Sequence, residues 1–288
     1  MYHIKDPILI LVTTAGKVGF ETVRLLRQKE LPVRVLVRDP EKVKSLAASG
    51  AEIVVGDLDS LPGIDQAMKG IKTVVLVSPG LPAQELNVVH SAKRAGVEQI
   101  IKVTNDASAD SPIARRRWQH EIEAGLLASG LDYTLLRSNA YMQNVLMLAP
   151  AIKKTGGFGS SAGKGRLGMI DARDVAAVAV EIAASSASHV GKTYKLTGPA
   201  LLTYSDVAAT LSKIRGRPVS YHELSFEEDK NAMIHAGLPK ELAEMNAQFF
   251  SMVAGGDTAW LSEDVPLLLG RPARSFEAFA TDYASAFS

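Results

Sequence analysis

The chain has no cysteine, which excludes thiol nucleophiles, cysteine-ligated metal centres and disulfide bonds. It has no excess of one charge, because 32 Lys and Arg residues face 31 Asp and Glu residues, whereas nucleic-acid-binding proteins usually carry a basic surplus. It also has no long hydrophobic run, since the aliphatic segment Ile8–Val12 is far shorter than the roughly 20 residues of a membrane span. We therefore expect a cytoplasmic protein with no nucleic-acid and no membrane partner.

The residues that are present have the balance of a globular protein, because 47% of the 288 residues are hydrophobic and 22% are charged. Up to residue 137, short segments rich in β-branched residues alternate with segments of helical length. This alternation predicts βαβ units and a parallel sheet. In the second segment, valines alternate with Arg34, Leu36 and Arg38, so we expect one face of that strand to be wetter. The predicted strands are Ile8–Val12, Val33–Val37, Ile53–Val55, Val74–Val77, Ile100–Val103 and Tyr133–Leu136.

Local signals mark helices and loops in the rest of the chain. Ser111 followed by Pro112 predicts a helix start, and that helix should end near Ser129. Ser225 and Glu228 have the spacing of a capping box. Six glycines within residues 155–168 predict a loop. Further predicted elements are a helix at Asp171–Ala184 and strands at Lys192–Leu196 and Pro218–Glu223.

A glycine-containing turn follows the first predicted strand. The sequence reads Thr13-Thr14-Ala15-Gly16-Lys17-Val18-Gly19, and a helix begins there. At such a strand–helix turn, backbone N–H groups and the helix dipole bind a pyrophosphate. Gly16 would let the main chain approach the phosphates, and Gly19 would let the helix pack close to the sheet. The alternative is that both glycines only shape a tight turn.

The end of the second predicted strand bears on the choice of cofactor. Dinucleotide folds that bind NAD usually place Asp or Glu there to hold the ribose hydroxyls. Here the strand ends in Arg38, and Lys42 follows one turn later. A guanidinium matches a 2′-phosphate, which favours NADPH. Asp39 keeps NADH as the alternative.

These elements together predict an α/β fold with a Rossmann-type doubly wound parallel sheet. We expect residues 1–150 to form an NAD(P)-binding Rossmann domain whose sheet is completed by segments of residues 168–198. Residues 200–288 lack a second doubly wound pattern. We therefore expect them to form a smaller C-terminal α+β domain that covers the substrate.

A further signal runs along the whole chain, from ILVTTAGKVG through VVGDLDS and SGLDYTLLRSNAYMQN to LLGRPARSFEAFATDY. These segments resemble the NmrA-like, atypical branch of the short-chain dehydrogenase/reductases. Within that branch the sequence is most similar to flavin-free azoreductases, NADPH:quinone oxidoreductases and triphenylmethane reductases. The branch begins with G-x-x-G-x-x-G, whose spacing is kept at Thr13, Gly16 and Gly19. Thr13 differs from the first glycine of this motif. A β-branched residue adopts a positive φ only at a cost in conformational energy.

The resemblance implies an NADPH cofactor and further contacts along it, and nothing in the sequence suggests a flavin or a metal. Asp57 and Leu58 would flank the adenine, and Val77 and Ser78 would pass the middle of the cofactor. The nicotinamide would lie near residues that follow the fifth and sixth strands, as expected when ligands bind beyond the carboxyl ends of strands. The expected cofactor-binding residues are Thr13, Thr14, Ala15, Gly16, Lys17, Val18, Arg38, Lys42, Asp57, Leu58, Val77, Ser78, Thr104, Asn139 and Tyr141.

The usual acid of short-chain dehydrogenases is missing, because none of the seven tyrosines has a lysine four residues later. The helix in which that pair should lie reads Arg115-Arg116-Arg117-Trp118-Gln119-His120-Glu121. His120 could donate a proton near neutral pH, and Tyr141 is the second candidate catalytic residue. The alternative for His120 is an ordinary surface histidine. The three arginines are typical of a solvated helix face, although a sulfonated or carboxylated substrate would suit them.

We therefore expect an NADPH-dependent, flavin-independent oxidoreductase. Its hydride acceptor would be electrophilic, such as an azo dye or a quinone, because these acceptors need little acid catalysis. The expected partner is a small planar aromatic or quinoid substrate, and the protein would be a monomer or a homodimer. The alternative is an NmrA-like NADP-binding redox sensor that regulates partners without turnover, since the missing Tyr–Lys pair fits a sensor equally well.

Overall fold

The computed structural model describes residues 9–288, so Ile8 of the first predicted strand lies outside the described residues. The strands are β1 (Ile10–Val12), β2 (Val33–Val37), β3 (Glu52–Val55), β4 (Thr73–Leu76), β5 (Gln99–Thr104), β6 (Asp132–Ser138), β7 (Gly157–Ser160), β8 (Thr193–Leu196) and β9 (Ser220–Glu223). The helices are α1 (Lys17–Gln28), α2 (Lys44–Ala48), α3 (Leu61–Ala67), α4 (Pro82–Ala95), α5 (Ala114–Ser129), α6 (Ala149–Thr155), α7 (Ala172–Ala184), α8 (Tyr204–Arg215), α9 (Phe226–His235), α10 (Lys240–Ala254), α11 (Asp264–Leu269), α12 (Phe276–Asp282) and α13 (Ala284–Phe287). Short 3₁₀ helices occupy Pro40–Val43, Met142–Leu148 and Ser186–His189.

Seven strands form one sheet in the order β3-β2-β1-β4-β5-β6-β8. The pairs among β1 to β6 are parallel, and Val12 of β1 lies opposite Val35 on one side and Val75 on the other. The chain builds outward from β1 to β3 and then crosses back to add β4, β5 and β6. A switch in strand order therefore lies between β1 and β4, where doubly wound folds bind nucleotides. The predicted α/β class with a Rossmann-type parallel sheet is confirmed.

The inner strands are apolar because helices cover both faces of the sheet, and every residue of β2 is buried. The expected wetter face of β2 was therefore wrong. The side chain of Arg34 lies inside, where Nη1 donates to the carbonyl oxygens of Ala67 and Lys69 (2.7 Å each) and Nη2 pairs with Glu52 (2.9 Å). The first two contacts satisfy carbonyl groups at the end of α3 that have no helical partner. The arginine is buried because it has these partners.

The chain divides into two compact units. Unit 1 contains residues 9–111, 115–137 and 172–195, and unit 2 contains residues 112–114, 138–171 and 196–288. In unit 1, α1 and α7 pack against each other, and a core on the sheet includes Leu11, Val74 and Ile100. Unit 2 has its own core, which includes Phe158 and Phe279.

The predicted glycine-rich loop at residues 155–168 was wrong in part. Gly157–Ser160 forms β7, which pairs in parallel with β9. A Cβ on Gly157 would lie 2.3 Å from Ser220 Oγ, and a Cβ on Gly159 would lie 2.8 Å from Leu224 Cδ1. Glycine is needed because the neighbouring strand approaches so closely. The segment has few of the side chains that usually announce a strand, so its sequence did not reveal it.

Two predicted helix starts had different outcomes. Helix α5 begins at Ala114 instead of at Pro112, so Ser111 does not directly precede the helix. The capping box before α9 is confirmed, because Ser225 N–H donates to Glu228 Oε2 (2.8 Å) and Glu228 N–H donates to Ser225 Oγ (3.3 Å). Within residues 9–288, the structure contains no helix with both the length and the apolar character to cross a membrane.

Candidate functional site

The turn after β1 is tied to the end of β4 by two threonine hydroxyls. Thr13 Oγ1 donates to the carbonyl oxygen of Val77 (2.7 Å) and accepts from its N–H (2.9 Å), and Thr14 Oγ1 donates to the same carbonyl (2.9 Å). Thr13 is 1% exposed and is not among the residues with a positive φ. The departure from G-x-x-G-x-x-G therefore leaves the turn intact. We call these hydroxyl contacts of Thr13 and Thr14 the threonine clamp, and Thr13 stands at the first glycine position of that motif.

The two glycines of the turn do different things. Gly16 is the N-cap of α1 and offers no capping side chain at the positive end of the helix. A Cβ on Gly16 would meet no atom within 4 Å, whereas a Cβ on Gly19 would lie 1.8 Å from the carbonyl oxygen of Thr14. Open space over a helix N-terminus fits a pyrophosphate. Gly19 is instead required by the packing of the helix against the turn.

The end of β2 presents an exposed arginine. The side chain of Arg38 is 83% exposed, and its Nε lies 3.9 Å from Asp57 Oδ2. Asp39 is engaged locally, because Oδ1 accepts from Glu41 N–H (3.0 Å) as a helix N-cap and Oδ2 lies 3.5 Å from Lys42 Nζ. The arginine is therefore open to an anionic ligand, whereas the neighbouring carboxylate already has partners.

The loop after β4 is held by an ion pair inside unit 1. Ser78 Oγ donates to Glu85 Oε1 (2.6 Å) and accepts from Gly80 N–H (2.9 Å). Glu85 Oε2 pairs with Lys102 Nζ, and these two side chains are 2% and 0% exposed. The loop that starts at Val77 is thus fixed through Ser78 to a fully buried charged pair on α4 and β5.

A second polar network lies at the ends of β5 and β6. Thr104 Oγ1 donates to Gln119 Oε1 (2.7 Å) and lies 3.4 Å from Glu123 Oε1, while Arg137 Nη2 donates to Glu123 Oε2 (2.5 Å). Asn105 Oδ1 and Arg137 Nε are buried and have no hydrogen-bond partner among the described residues. Such unsatisfied groups are uncommon in proteins and call for an explanation. Their place at the carboxyl ends of two strands agrees with a ligand-binding edge.

Asn139 and Tyr141 belong to unit 2. Asn139 Nδ2 donates to the carbonyl oxygen of Thr258 (3.0 Å), and its Oδ1 accepts from Ala140 N–H (2.7 Å). The hydroxyl oxygens of Tyr141 and Ser138 lie 3.0 Å apart. Burial raises the pKa of the Tyr141 phenol, so the phenol keeps its proton at neutral pH.

Other predicted residues differ in how accessible they are. Val18 and Leu58 are 3% and 5% exposed, so their side chains belong to the core. Ala15 is partly buried, whereas Lys17 and His120 are exposed. Partial desolvation lowers the pKa of the Lys17 ammonium group. Exposure leaves Lys17 and His120 accessible from solvent.

Two further sequence patterns do not form catalytic sites of the kinds they suggest. The G-x-S-x-G match at Gly159–Gly163 runs from β7 into a turn, whereas a nucleophile elbow requires a helix after the serine. Within residues 9–288, no three His, Asp or Glu side chains are grouped closely enough to hold a metal ion.

Sequence reasoning missed the partners that shape the two polar networks. Lys102 is the one charged residue in a predicted apolar strand. Because a buried charge requires a partner, this lysine could have predicted a buried ion pair. Gln119 and Glu123 are four residues apart, the spacing of one helix face. Nothing in the sequence identified Glu85 as the partner of Lys102, because their contact joins a helix to a strand.

Comparisons with known proteins give matches over almost the whole chain. A profile of the NmrA-like family matches residues 5–269. The sequence is 37% identical to the NAD(P)H azoreductase of Xenophilus azovorans, over 97% of this chain and 99% of that protein. The structure is similar to an NADPH-dependent quinone oxidoreductase of Escherichia coli in complex with NADPH, with a TM-score of 0.86 and 31% identity over 96% of this chain and 99% of that one.

A third similarity concerns a dye-reducing protein. The structure of triphenylmethane reductase of a Citrobacter species, complexed with NADP(H), matches with a TM-score of 0.83 and 25% identity, covering 95% of this chain and 99% of that one. These proteins share the length as well as the fold of this chain. The family profile, the full-length relatives and the seven-stranded sheet together place the chain in the NmrA-like family.

Proposed function

We propose that this protein transfers a hydride from NADPH, without a flavin, to a small, planar, electrophilic acceptor such as a quinone or an azo dye. The protein is an NAD(P)H-dependent reductase, as its full-length relatives are. The observation that carries the cofactor proposal is the turn at Gly16, which opens over the N-terminus of α1 beside the threonine clamp. When bound, NADPH supplies the hydride.

The predicted cofactor residues of unit 1 follow successive strands of the sheet. The turn after β1 would hold the pyrophosphate, and Arg38 with Lys42 would hold a 2′-phosphate after β2. Asp57 follows β3, Ser78 follows β4 and Thr104 ends β5. For unit 2 we propose that Asn139 and Tyr141 contact the nicotinamide and that residues 200–288 cover the acceptor.

Exchange of Arg38 for alanine tests the preference for NADPH. We expect Arg38→Ala to weaken NADPH binding by about 1.5–3 kcal/mol, the usual loss of a hydrogen bond to a charged partner, with little change for NADH. Titration calorimetry with both cofactors measures this difference. Lys44→Ala is the control, because it removes a positive charge from the same segment but pairs with Glu41. Equal losses for both cofactors would contradict the assignment to the 2′-phosphate.

The missing Tyr–Lys pair shapes the proposed chemistry. A quinone or an azo group accepts hydride without a precisely positioned general acid. Most of the catalysis would therefore come from holding the nicotinamide and the acceptor in the correct geometry. Tyr141 keeps a proton that it can share with Ser138. His120 is exposed, so it could donate a proton only at a position that water also reaches. Neither residue has the lysine partner that would make it a strong, positioned acid.

The role of a proton donor is tested by single substitutions. We expect Tyr141→Phe and His120→Ala each to reduce turnover by at most about 10-fold, against the roughly 10² to 10⁴ of a positioned general acid. Stopped-flow measurement of NADPH oxidation by excess quinone gives the rate. A loss of about 10³-fold or more with unchanged NADPH affinity would identify that residue as the acid and would favour a carbonyl or imine acceptor.

The second candidate function is a redox sensor that binds NADP(H) without turnover. It is favoured by one observation, the absence of a lysine four residues after any of the seven tyrosines. Oxidation of NADPH by a panel of quinones and azo dyes separates the two functions. Turnover with any of them supports the reductase. Tight NADPH binding with no turnover across the panel would support the sensor.

A further inference from the structure

Arg115 lies on a helix face whose other members define the end of β5. Arg115, Gln119 and Glu123 are spaced four residues apart on α5 and therefore lie along one face. Gln119 and Glu123 both contact the hydroxyl of Thr104, the last residue of β5. Arg115 precedes Gln119 by about one turn, or roughly 5.4 Å. Its place is therefore just beyond the carboxyl end of β5, where parallel sheets bind ligands.

The guanidinium of Arg115 differs from those of its two neighbours. Arg117 Nη1 donates to the Ser111 carbonyl oxygen (2.6 Å), and Arg116 Nη2 lies 3.9 Å from Asp106. Arg115 is partly buried, yet it has no hydrogen-bond or ion-pair partner among residues 9–288. Burial lowers the pKa of this guanidinium, with no neighbouring charge acting on it. The protein thus holds one partly desolvated cation without a counter-ion.

A bound anion would complete this arrangement. The three arginines lie in the first turns of α5, at the positive end of its dipole, and the first turn contains no acidic residue. A cation removed from water without a partner costs free energy. A bound carboxylate or sulfonate would supply that partner, because a guanidinium binds such planar or tetrahedral groups through two parallel hydrogen bonds.

We infer that Arg115 binds the anionic group of the hydride acceptor, so that the preferred acceptors are planar molecules bearing a carboxylate or a sulfonate. This inference rests on the proposed function, since the acceptor must bind at the carboxyl end of β5. The phosphates of the cofactor are assigned to the ends of β1 and β2. In the sheet order, β1 lies two strands from β5, about 10 Å away at the usual strand spacing.

Paired acceptors that differ only by the anionic group provide the test. The full-length protein is assayed with naphthoquinone and with naphthoquinone sulfonate, and the ratio of their kcat/KM values is compared among variants. Taking the ratio between variants cancels the difference in intrinsic reactivity of the two quinones. We expect Arg115→Gln to lower the preference for the sulfonate by about 10-fold to 100-fold, as for loss of a charge-assisted hydrogen bond. Arg115→Lys should retain part of the preference.

Arg117→Gln is the matched control, because it removes the same charge from the same helix but alters an exposed side chain. The preference should survive in this variant. Loss of the preference in Arg117→Gln as well would show that the overall charge of the segment is responsible, and would overturn the assignment to Arg115. An unchanged ratio in Arg115→Gln would overturn it directly. A matching drop in NADPH affinity would assign Arg115 to the cofactor instead.

A binding measurement separates this inference from the proposed function. Naphthalenesulfonate is titrated into the protein saturated with NADP⁺, which cannot transfer hydride. We expect binding that weakens in Arg115→Gln and persists in Arg117→Gln. If this pattern is seen while no quinone is turned over, the anion site stands and the reductase proposal fails. If quinones are turned over but the sulfonate binds equally to all variants, the reductase stands and the anion site fails.

Discussion

Replacing Lys102 with methionine is expected to lower the free energy of unfolding by about 3–5 kcal/mol, because it leaves a buried carboxylate without its charge partner. The Lys102 and Glu85 side chains are 0% and 2% exposed, so solvent cannot compensate either charge. Ser78 would remain as the hydrogen-bond donor to Glu85, which is insufficient for a full charge. Urea unfolding followed by circular dichroism measures the loss.

Two further variants show whether burial is the cause. Lys72→Met breaks a lysine–glutamate pair of similar type, but that pair is 52% and 66% exposed, and its loss should cost less than about 1 kcal/mol. The double variant with Lys102→Met and Glu85→Gln should regain much of the stability, because the amide keeps an acceptor for Ser78 and carries no charge. Equal losses at Lys72 and Lys102 would refute the argument.

Gly16→Val is expected to abolish NADPH binding while the fold remains. Gly16 has φ −76° and ψ −163°, an extended conformation that valine adopts readily. A Cβ there meets no atom of the protein within 4 Å, so we expect the valine side chain to project into the open space proposed for the pyrophosphate. Calorimetry should detect no binding, and the thermal unfolding temperature should stay close to that of the original protein.

Gly19→Ala is the matched counterpart within the same turn. The Cβ of alanine would lie 1.8 Å from the carbonyl oxygen of Thr14. This oxygen belongs to the main chain, so the clash can be relieved only by moving the backbone of the turn. We expect this smaller change to destabilise the fold by about 1–3 kcal/mol. Unchanged NADPH affinity in Gly16→Val would place the cofactor elsewhere, and a larger loss of stability for Gly16→Val than for Gly19→Ala would contradict the different tasks of the two glycines.

The parallel sheet could be predicted because its signals are local. β-branched segments such as Val33–Val37 are short, apolar and separated by helical lengths, and the strand that the structure contains there has the same bounds. The turn at Gly16 was recognised for the same reason, since strand, turn and helix follow one another in the chain. Signals of this kind depend on spacing within a few residues.

The features that were missed depend on contacts between distant segments. Thr13 was expected to disturb the turn, yet its hydroxyl is satisfied by Val77, 64 residues away. Arg34 was expected to be solvated, yet it caps the end of a helix that follows much later in the chain. β7 is a strand because another strand approaches its glycines closely. Each outcome is decided by a partner that spacing along the chain does not identify.

The threonine clamp has a consequence for the kinetics of ligand capture. Because Thr13 and Thr14 already fix the turn to Val77, little conformational entropy remains to be lost when a phosphate group arrives. A receptor loop that must first become ordered binds slowly and more weakly, whereas a preorganised one loses less free energy on association. The turn thereby offers the phosphate a preorganised receptor, for which we expect association to be governed by encounter and not by folding of the loop.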